Sequence, residues 1–332
     1  MPLNISLTNF PNGITSFGIP VLGSGALPPF TGNYWFVQET QGAGVIAGEG
    51  QVGSPFNTLG QALSAASNNN NDVIFLTGTV HLTAPLAWNL NDTHLIGLCN
   101  GIKQGKRARI SPLGGTAAFG PLVNVTGNGC LFANIGTFFG FPVTGSTTPI
   151  CWQDSGGRNN YSGVEFLGFG DATATTGTAN QTGARAFKFN TSTGESTFAD
   201  CVFGADTLQR GAANYTLEIA GNAPRLTFER CRFVADLAAG GTGGSHVLIG
   251  AAGIDRACYF EDCDFMVDTL SSSSTMAQVM NLSGSAGGVV MLTGRTNFFG
   301  ATHWETSQSG TLYGTVPLPV AADMGKALEV AT

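Results

Sequence analysis

Charged residues are scarce in this 332-residue chain: 11% of positions are charged against 42% hydrophobic, and 14 Lys+Arg face 21 Asp+Glu for a net charge of −7. No Lys/Arg-rich run exists beyond Lys103 to Arg109, which reads as a solvated loop, so a nucleic-acid footprint is not expected. No stretch approaches the roughly 20 consecutive apolar residues that crossing a bilayer requires. There is no Cys-x-x-Cys, and His81, His94, His246 and His303 are widely separated, so neither a zinc site nor any other metal or cofactor is expected. The 7 cysteines, an odd number, suit unpaired thiols in a protein folded in a reducing cytosol. Helical periodicity is also missing from most of the chain, while the 48 glycines suit many turns.

What is present is a repeat. An aromatic, two variable residues, a small residue, one more position and Phe recur as Tyr161 to Phe166, Phe198 to Phe203, Phe228 to Phe233 and Phe260 to Phe265. Weaker copies start at Phe132 and at Thr293. The small positions Ile135, Val164, Cys201, Cys231, Cys263 and Thr296 are separated by 29, 37, 30, 32 and 33 residues. A near-constant period of this size means stacked units.

Each unit also carries an apolar run, as at Leu122, Ile150, Ala186, Tyr215, His246 and Gln278, with a cluster of Gly, Asn or Ser after it. Period-two alternation sends successive side chains inward and outward. About thirty residues holding two or three short strands make one coil of a parallel β-helix. Stacking then places Cys201, Cys231 and Cys263 in one internal ladder and Phe203, Phe233 and Phe265 in a second.

Gly32 to Gln38, Gly48-Glu-Gly50, Ser54 to Ala66 and Val73 to Thr79 together resemble the N-terminal part of pectin-lyase-like right-handed β-helices. The resemblance implies an all-β, right-handed parallel β-helix solenoid over residues 32–300, with a capping helix near 54–67. The residues agree: Ser54 suits an N-cap and Pro55 the first helical position, and Phe56, Leu59, Ala62, Leu63 and Ala66 share a face. Gly48 to Gly53 matches Gly-x-Gly-x-x-Gly but has no βαβ alternation after it, so it reads as the loop before this helix. Residues 301–332 form a closing segment.

Residues 1–31 read as an extended arm. No charge occurs from Met1 to Gln38, yet Pro11, Gly13, Gly18 and Pro20 interrupt every apolar run, so the arm has no core of its own and is too apolar to stay free in water. Asn9 to Val21 resembles N-terminal segments of tailed-bacteriophage capsid-associated proteins. That resemblance implies a capsid decoration or cement protein on the virion exterior, made in the host bacterial cytoplasm. Its partners would be the major capsid protein, docked through Phe10, Pro11, Ile14, Phe17, Ile19, Pro20 and Val21, and two further copies in a homotrimer. The arm folded back along its own β-helix is the other reading.

Many proteins of the resembled family cleave acidic polysaccharides, and the nearest candidate cluster is Asp200, Arg230 and Asp262, flanked by Glu229, Glu261 and Asp264. Alternating charge relieves repulsion between stacked coils, and the motifs of active members are missing: no Asp-Asp, Gly-His-Gly, Asp-His or Arg-x-Pro-x-x-Arg. The expectation is therefore a protein that is not an enzyme, with no catalytic residues. The alternatives are a tail spike or fibre that binds, and even cleaves, a host surface glycan, and a polysaccharide lyase or hydrolase; Trp88, Trp152 and Trp304 would stack on the sugars if exposed, but read first as packing under turns.

Overall fold

The computed structural model describes residues 15–16, 19–20, 31–39, 48–99, 103–113, 119–140, 150–168, 178–179, 183–210, 214–237, 244–268, 275–284, 287–306, 311–314 and 326–327. Three parallel sheets run along one axis, and the central coils contribute a strand to each sheet in turn. The first sheet begins with Tyr34–Gln38, Asp72–Thr77 and Thr93–Gly97, continues through Leu131–Ala133, Asn160–Ser162, Glu195–Ala199, Ala223–Glu229, Ile254–Glu261 and Val289–Thr293, and ends in Leu312–Gly314 and Lys326–Ala327. The second sheet stacks strands from Thr79–Leu82 to Asn297–Phe299, and the third stacks strands from Leu86–Trp88 to Met280–Asn281. The chain is a parallel β-helix.

The recurring motif is the corner between the first and second sheets. Its third position is Asn134, Gly163, Asp200, Arg230 or Asp262 in successive coils, with φ of 53°, 60°, 54°, 51° and 51°. One left-handed residue swings the chain so that the small residue after it and the Phe two further on both point inward. In the last coil Leu292, not Thr293, lies opposite Phe260, and Thr293 lies opposite Glu261. The weak copy read from Thr293 is thus one residue out of register. The chain absorbs the extra residue at Gly294 (φ 64°) and Arg295, so Asn297 and Phe298 again face Asp264 and Phe265.

Inside, the aromatics stack coil upon coil. Tyr161 lies 4.6 Å from Phe198, Phe198 4.6 Å from Phe228 and Phe228 4.8 Å from Phe260, with ring planes within 10° of parallel. Phe203, Phe233 and Phe265 form a second stack at 4.8 and 4.5 Å. Each buried ring contributes on the order of 2–3 kcal/mol by leaving water, and each stacked pair adds about 1 kcal/mol.

The open N-terminal end is plugged by the helix Leu59–Ala65, which buries Leu59 and Ala62. Its N-cap is Thr58, not Ser54: the Thr58 hydroxyl accepts the Gln61 amide at 3.2 Å and the Gln61 side chain returns to the Thr58 amide at 3.1 Å. Ser54 instead closes a turn on Gln51, and Phe56 pairs with the first strand through its amide to the Phe36 carbonyl at 2.8 Å. A helix beginning at residue 54 would forfeit that strand pairing. Among the described residues no helix is long and apolar enough to cross a membrane.

Candidate functional site

The outer face of the first sheet carries a polar groove of about 730 Å³ along the edge where its strands begin. Four successive coils build it. The first supplies Arg158 and Asn160, the second Ser192, Glu195 and Thr197, the third Pro224 and the fourth Asp255 and Arg256. At about 4.8 Å per coil these side chains span on the order of 14 Å.

Local sequence explains each position. Asn160 and Thr197 lie in register on neighbouring strands, and Glu195 is in register with Arg225, to which it is paired at 2.9 Å. Pro224 has no amide hydrogen for the ladder, and the next strand bulges opposite it: Ala223 faces Ile254, but Arg225 faces Ala257. The extra residue turns Asp255 and Arg256 outward, paired with each other at 3.4 Å. Arg158 has a left-handed backbone (φ 57°) and is exposed. It takes part in none of the ion pairs among the described residues.

Beneath the groove lies a buried polar node. The Asp154 carboxylate accepts the Tyr161 hydroxyl at 2.9 Å, the Gly156 amide at 2.9 Å and the Asn159 side-chain amide at 3.1 Å. Asn159 also accepts the Cys130 amide at 2.9 Å, and its own amide reaches Ser196 at 3.2 Å. Burial pushes the Asp154 carboxyl up to about 6, against hydrogen bonds that pull it down. This node fixes the turn that presents Arg158 and Asn160.

The residues singled out in the sequence fall elsewhere. Cys201, Cys231, Cys263, Phe203, Phe233 and Phe265 are fully enclosed in the core, and each of the three thiols lies 3.4 to 3.5 Å from an aromatic residue's carbonyl one coil earlier. Of the arm, Ile19 and Pro20 form a strand pairing antiparallel with Thr15–Ser16, while Phe10, Pro11, Ile14, Phe17 and Val21 lie outside the described residues. Trp88, Trp152 and Trp304 are buried in the core, so of the two readings open to them they take the packing one and offer no sugar-stacking surface.

Arg230 forks onto Asp200 at 3.0 and 2.9 Å, both half exposed, whereas Asp262 accepts the Arg295 amide at 2.7 Å and takes no part in the pair. The Lys103 to Arg109 stretch is only in part a solvated loop, with Lys103, Gln104 and Arg107 exposed. Lys106 is buried with its amide on the Glu165 carboxylate at 3.2 Å, and Lys103 reaches the Arg230 carbonyl at 3.2 Å. Burial raises the Glu165 carboxyl, with the Lys106 amide and the nearby cations opposing. The stretch is a strap laid across several corners, with Lys103 and Lys106 engaged and Arg107 exposed. Among the described residues no group of three His, Cys, Asp or Glu is placed to hold a metal ion.

Sequence reasoning missed the groove. Its signal was faint: outward polar positions around Arg225 and a proline inside a repeat strand.

No protein-family model and no curated protein matches the chain. Among solved structures, a pectin methylesterase mutant in complex with a hexasaccharide is 12% identical with a TM-score of 0.48, over 80% of each chain. The pectin methylesterase of Aspergillus niger, in a penultimately deglycosylated form, is 14% identical with a TM-score of 0.44, over 81% of this chain and 92% of its own. Its deglycosylated form is 14% identical with a TM-score of 0.43, over 85% and 91%. The expectation of a chain without enzymatic activity is corrected by this finding, because the similar solved structures are those of esterases. What the chain shares with them is a parallel β-helix fold.

Proposed function

We propose that this chain is a glycan-binding β-helix protein of the tail-spike type, which lays an extended host-surface polysaccharide along the groove of the first sheet. The observation that carries this reading is the groove's construction: an open polar trough whose side chains are contributed by successive coils at a regular spacing. A polysaccharide presents hydroxyl groups at regular intervals and runs past both ends of whatever holds it. Such a ligand is matched by neutral amide and hydroxyl groups (Asn160, Ser192, Thr197) beside charged donors and acceptors (Arg158, Glu195, Asp255, Arg256). The ion pairs Glu195–Arg225 and Asp255–Arg256 hold those heads in place before ligand arrives. In this reading the partners are a host glycan and further copies of the chain, on the virion exterior.

The test is binding of the full chain to an array of bacterial surface polysaccharides, followed by calorimetric titration of the best oligosaccharide. Arg158→Ala is expected to weaken binding about tenfold, since it removes a charged hydrogen-bond donor from the site. Failure to bind any polysaccharide, or affinity unchanged in both Arg158→Ala and Asp255→Ala, overturns the reading. Chromatography of the same incubations reports whether the bound polymer is also shortened or de-esterified.

A further inference from the structure

The outward column that lines the groove continues past it. Asn160 and Thr197 line the groove, and strand register carries their column on through Thr227, Tyr259, Met291 and Tyr313. Strand alternation settles the direction: Cys258, Phe260, Val290, Leu292 and Leu312 belong to the core, so Tyr259, Met291 and Tyr313 beside them face outward. The column thus changes from amide and hydroxyl groups to large side chains as it leaves the groove.

These two tyrosines differ from the other rings of the solenoid. Tyr259 is 36% exposed, against 2% for Trp304 and 0% for Phe260 on the same strand. Among the described residues, Tyr259 and Tyr313 take part in no ring contact and no hydrogen bond. They lie two coils apart, about 10 Å. Met291 stands between them, half-buried, and fills the step with a soft apolar side chain. The column beside theirs is acidic. Glu229 and Glu261 are in register one coil apart, on the strands of Thr227 and Tyr259. Arg230 reaches Glu229 at 3.5 Å, whereas Glu261 is exposed and takes part in none of the ion pairs among the described residues.

We propose that Tyr259, with Tyr313 two coils on, is a stacking platform for the pyranose rings of a neutral glycan, whose hydroxyl groups Glu229 and Glu261 accept. The proposal rests on the groove reading and extends it by naming the class of sugar. A pyranose ring presents an apolar C–H face, which fits the electron-rich face of an aromatic ring, and its hydroxyl groups project from its rim. An ionised carboxylate is an acceptor only, so it takes those hydroxyls as donors and has nothing to offer a second carboxylate. A polymer of uronic acids would set its own carboxylates against Glu229 and Glu261, on a chain whose net charge is already −7. Register supplies the continuity: a chain of sugars lying on Asn160 and Thr197 reaches Tyr259 by following the same column across Thr227.

The experiment presents the full chain with neutral hexose polymers and uronic-acid polymers side by side, then titrates the tightest-binding oligosaccharide by calorimetry. A neutral polymer is expected to lead. Tyr259→Ala is expected to weaken its binding about fivefold, and Tyr259→Phe, which keeps the ring, to recover the parent's affinity. Tyr259→Trp gives a direct readout: its outward indole emission should shift to the blue and saturate as the oligosaccharide is added, over the constant signal of the buried tryptophans. A uronic-acid polymer as the tightest binder, unchanged affinity in Tyr259→Ala, equal losses in Tyr259→Phe and Tyr259→Ala, or an unmoved Tyr259→Trp emission each overturn the platform. If Arg158→Ala still weakens binding in that event, the groove reading stands and the platform alone falls. Absence of binding to every polysaccharide removes both.

Discussion

The Thr296 hydroxyl accepts the amide of Cys263 at 3.2 Å and lies 3.1 Å from the Phe260 carbonyl, the relation that a thiol holds in each of the three preceding coils. The interior corner position therefore takes a hydroxyl as readily as a thiol, and Ile135 and Val164 in the earlier coils, so it is not kept for sulfur chemistry. With Cys201 and Cys263 in register on either side, Cys231 has no room to grow.

Cys231→Ser should accordingly cost about 1 kcal/mol, because the hydroxyl can donate to the Phe198 carbonyl as Thr296 does to Phe260. Cys231→Leu should cost about 1–3 kcal/mol through overpacking. Urea unfolding midpoints separate the two. Equal losses would mean that volume does not limit this position.

Asp154 links stability to pH. Its folded value is raised from 3.8 to about 6 by burial, so the native state holds a proton that the unfolded chain releases. The contribution is fully present below about pH 3.8 and is lost as pH rises through about 6. Asp154→Asn keeps the shape and cannot ionise, so it should raise the melting temperature relative to the parent at pH 7.5 but not at pH 4. His94, lowered to about 4, runs in the opposite sense and is common to both proteins, so it cancels in the difference. Calorimetry at the two pH values checks this, and an equal shift at both would disconnect the carboxyl's charge from stability.

Thr58→Ala should cost about 1 kcal/mol and Ser54→Ala a few tenths, since the Thr58 hydroxyl caps the end-plug helix while the Ser54 hydroxyl only accepts an exposed Glu49 amide at 3.3 Å. Thermal melts of the two variants, with the helix end as the only element altered, measure the difference.

The misplaced cap shows where sequence reading stopped. Ser54-Pro55 has the chemistry of a helix start, and so does Thr58 with Gln61 three residues later; what decides between them is the pairing of Phe56 with Phe36, a contact across twenty residues. The solenoid was legible because its corner repeats an aromatic, a left-handed residue and a small residue at fixed local spacing, as Phe228, Arg230 and Cys231 do. The groove was not, because Arg158, Glu195 and Asp255 belong to three coils and meet only through register. The choice between packing and sugar stacking for the tryptophans needed the same kind of information: Trp152 belongs to an inward column, 5.0 Å from Phe132, and only the strand's phase against its neighbours shows it.

Gly194 gives a sharper test of the groove than removal of a charged head. Its φ is 82°, and a Cβ there would come within 2.6 Å of the Arg158 Cγ and 3.0 Å of the Arg158 amide nitrogen. Gly194→Ala must therefore move Arg158 while leaving every polar group of the groove chemically intact. The left-handed backbone makes the substitution cost about 1–2 kcal/mol of stability as well. If the groove holds glycan through Arg158, affinity should fall severalfold in Gly194→Ala, and Arg158→Ala should cause little further loss in the double variant because the two changes act on the same contact. Additive losses, read by calorimetric titration of the single and double variants, would mean that Arg158 and Gly194 act on separate parts of the ligand and that the groove is not organised around the Arg158 guanidinium.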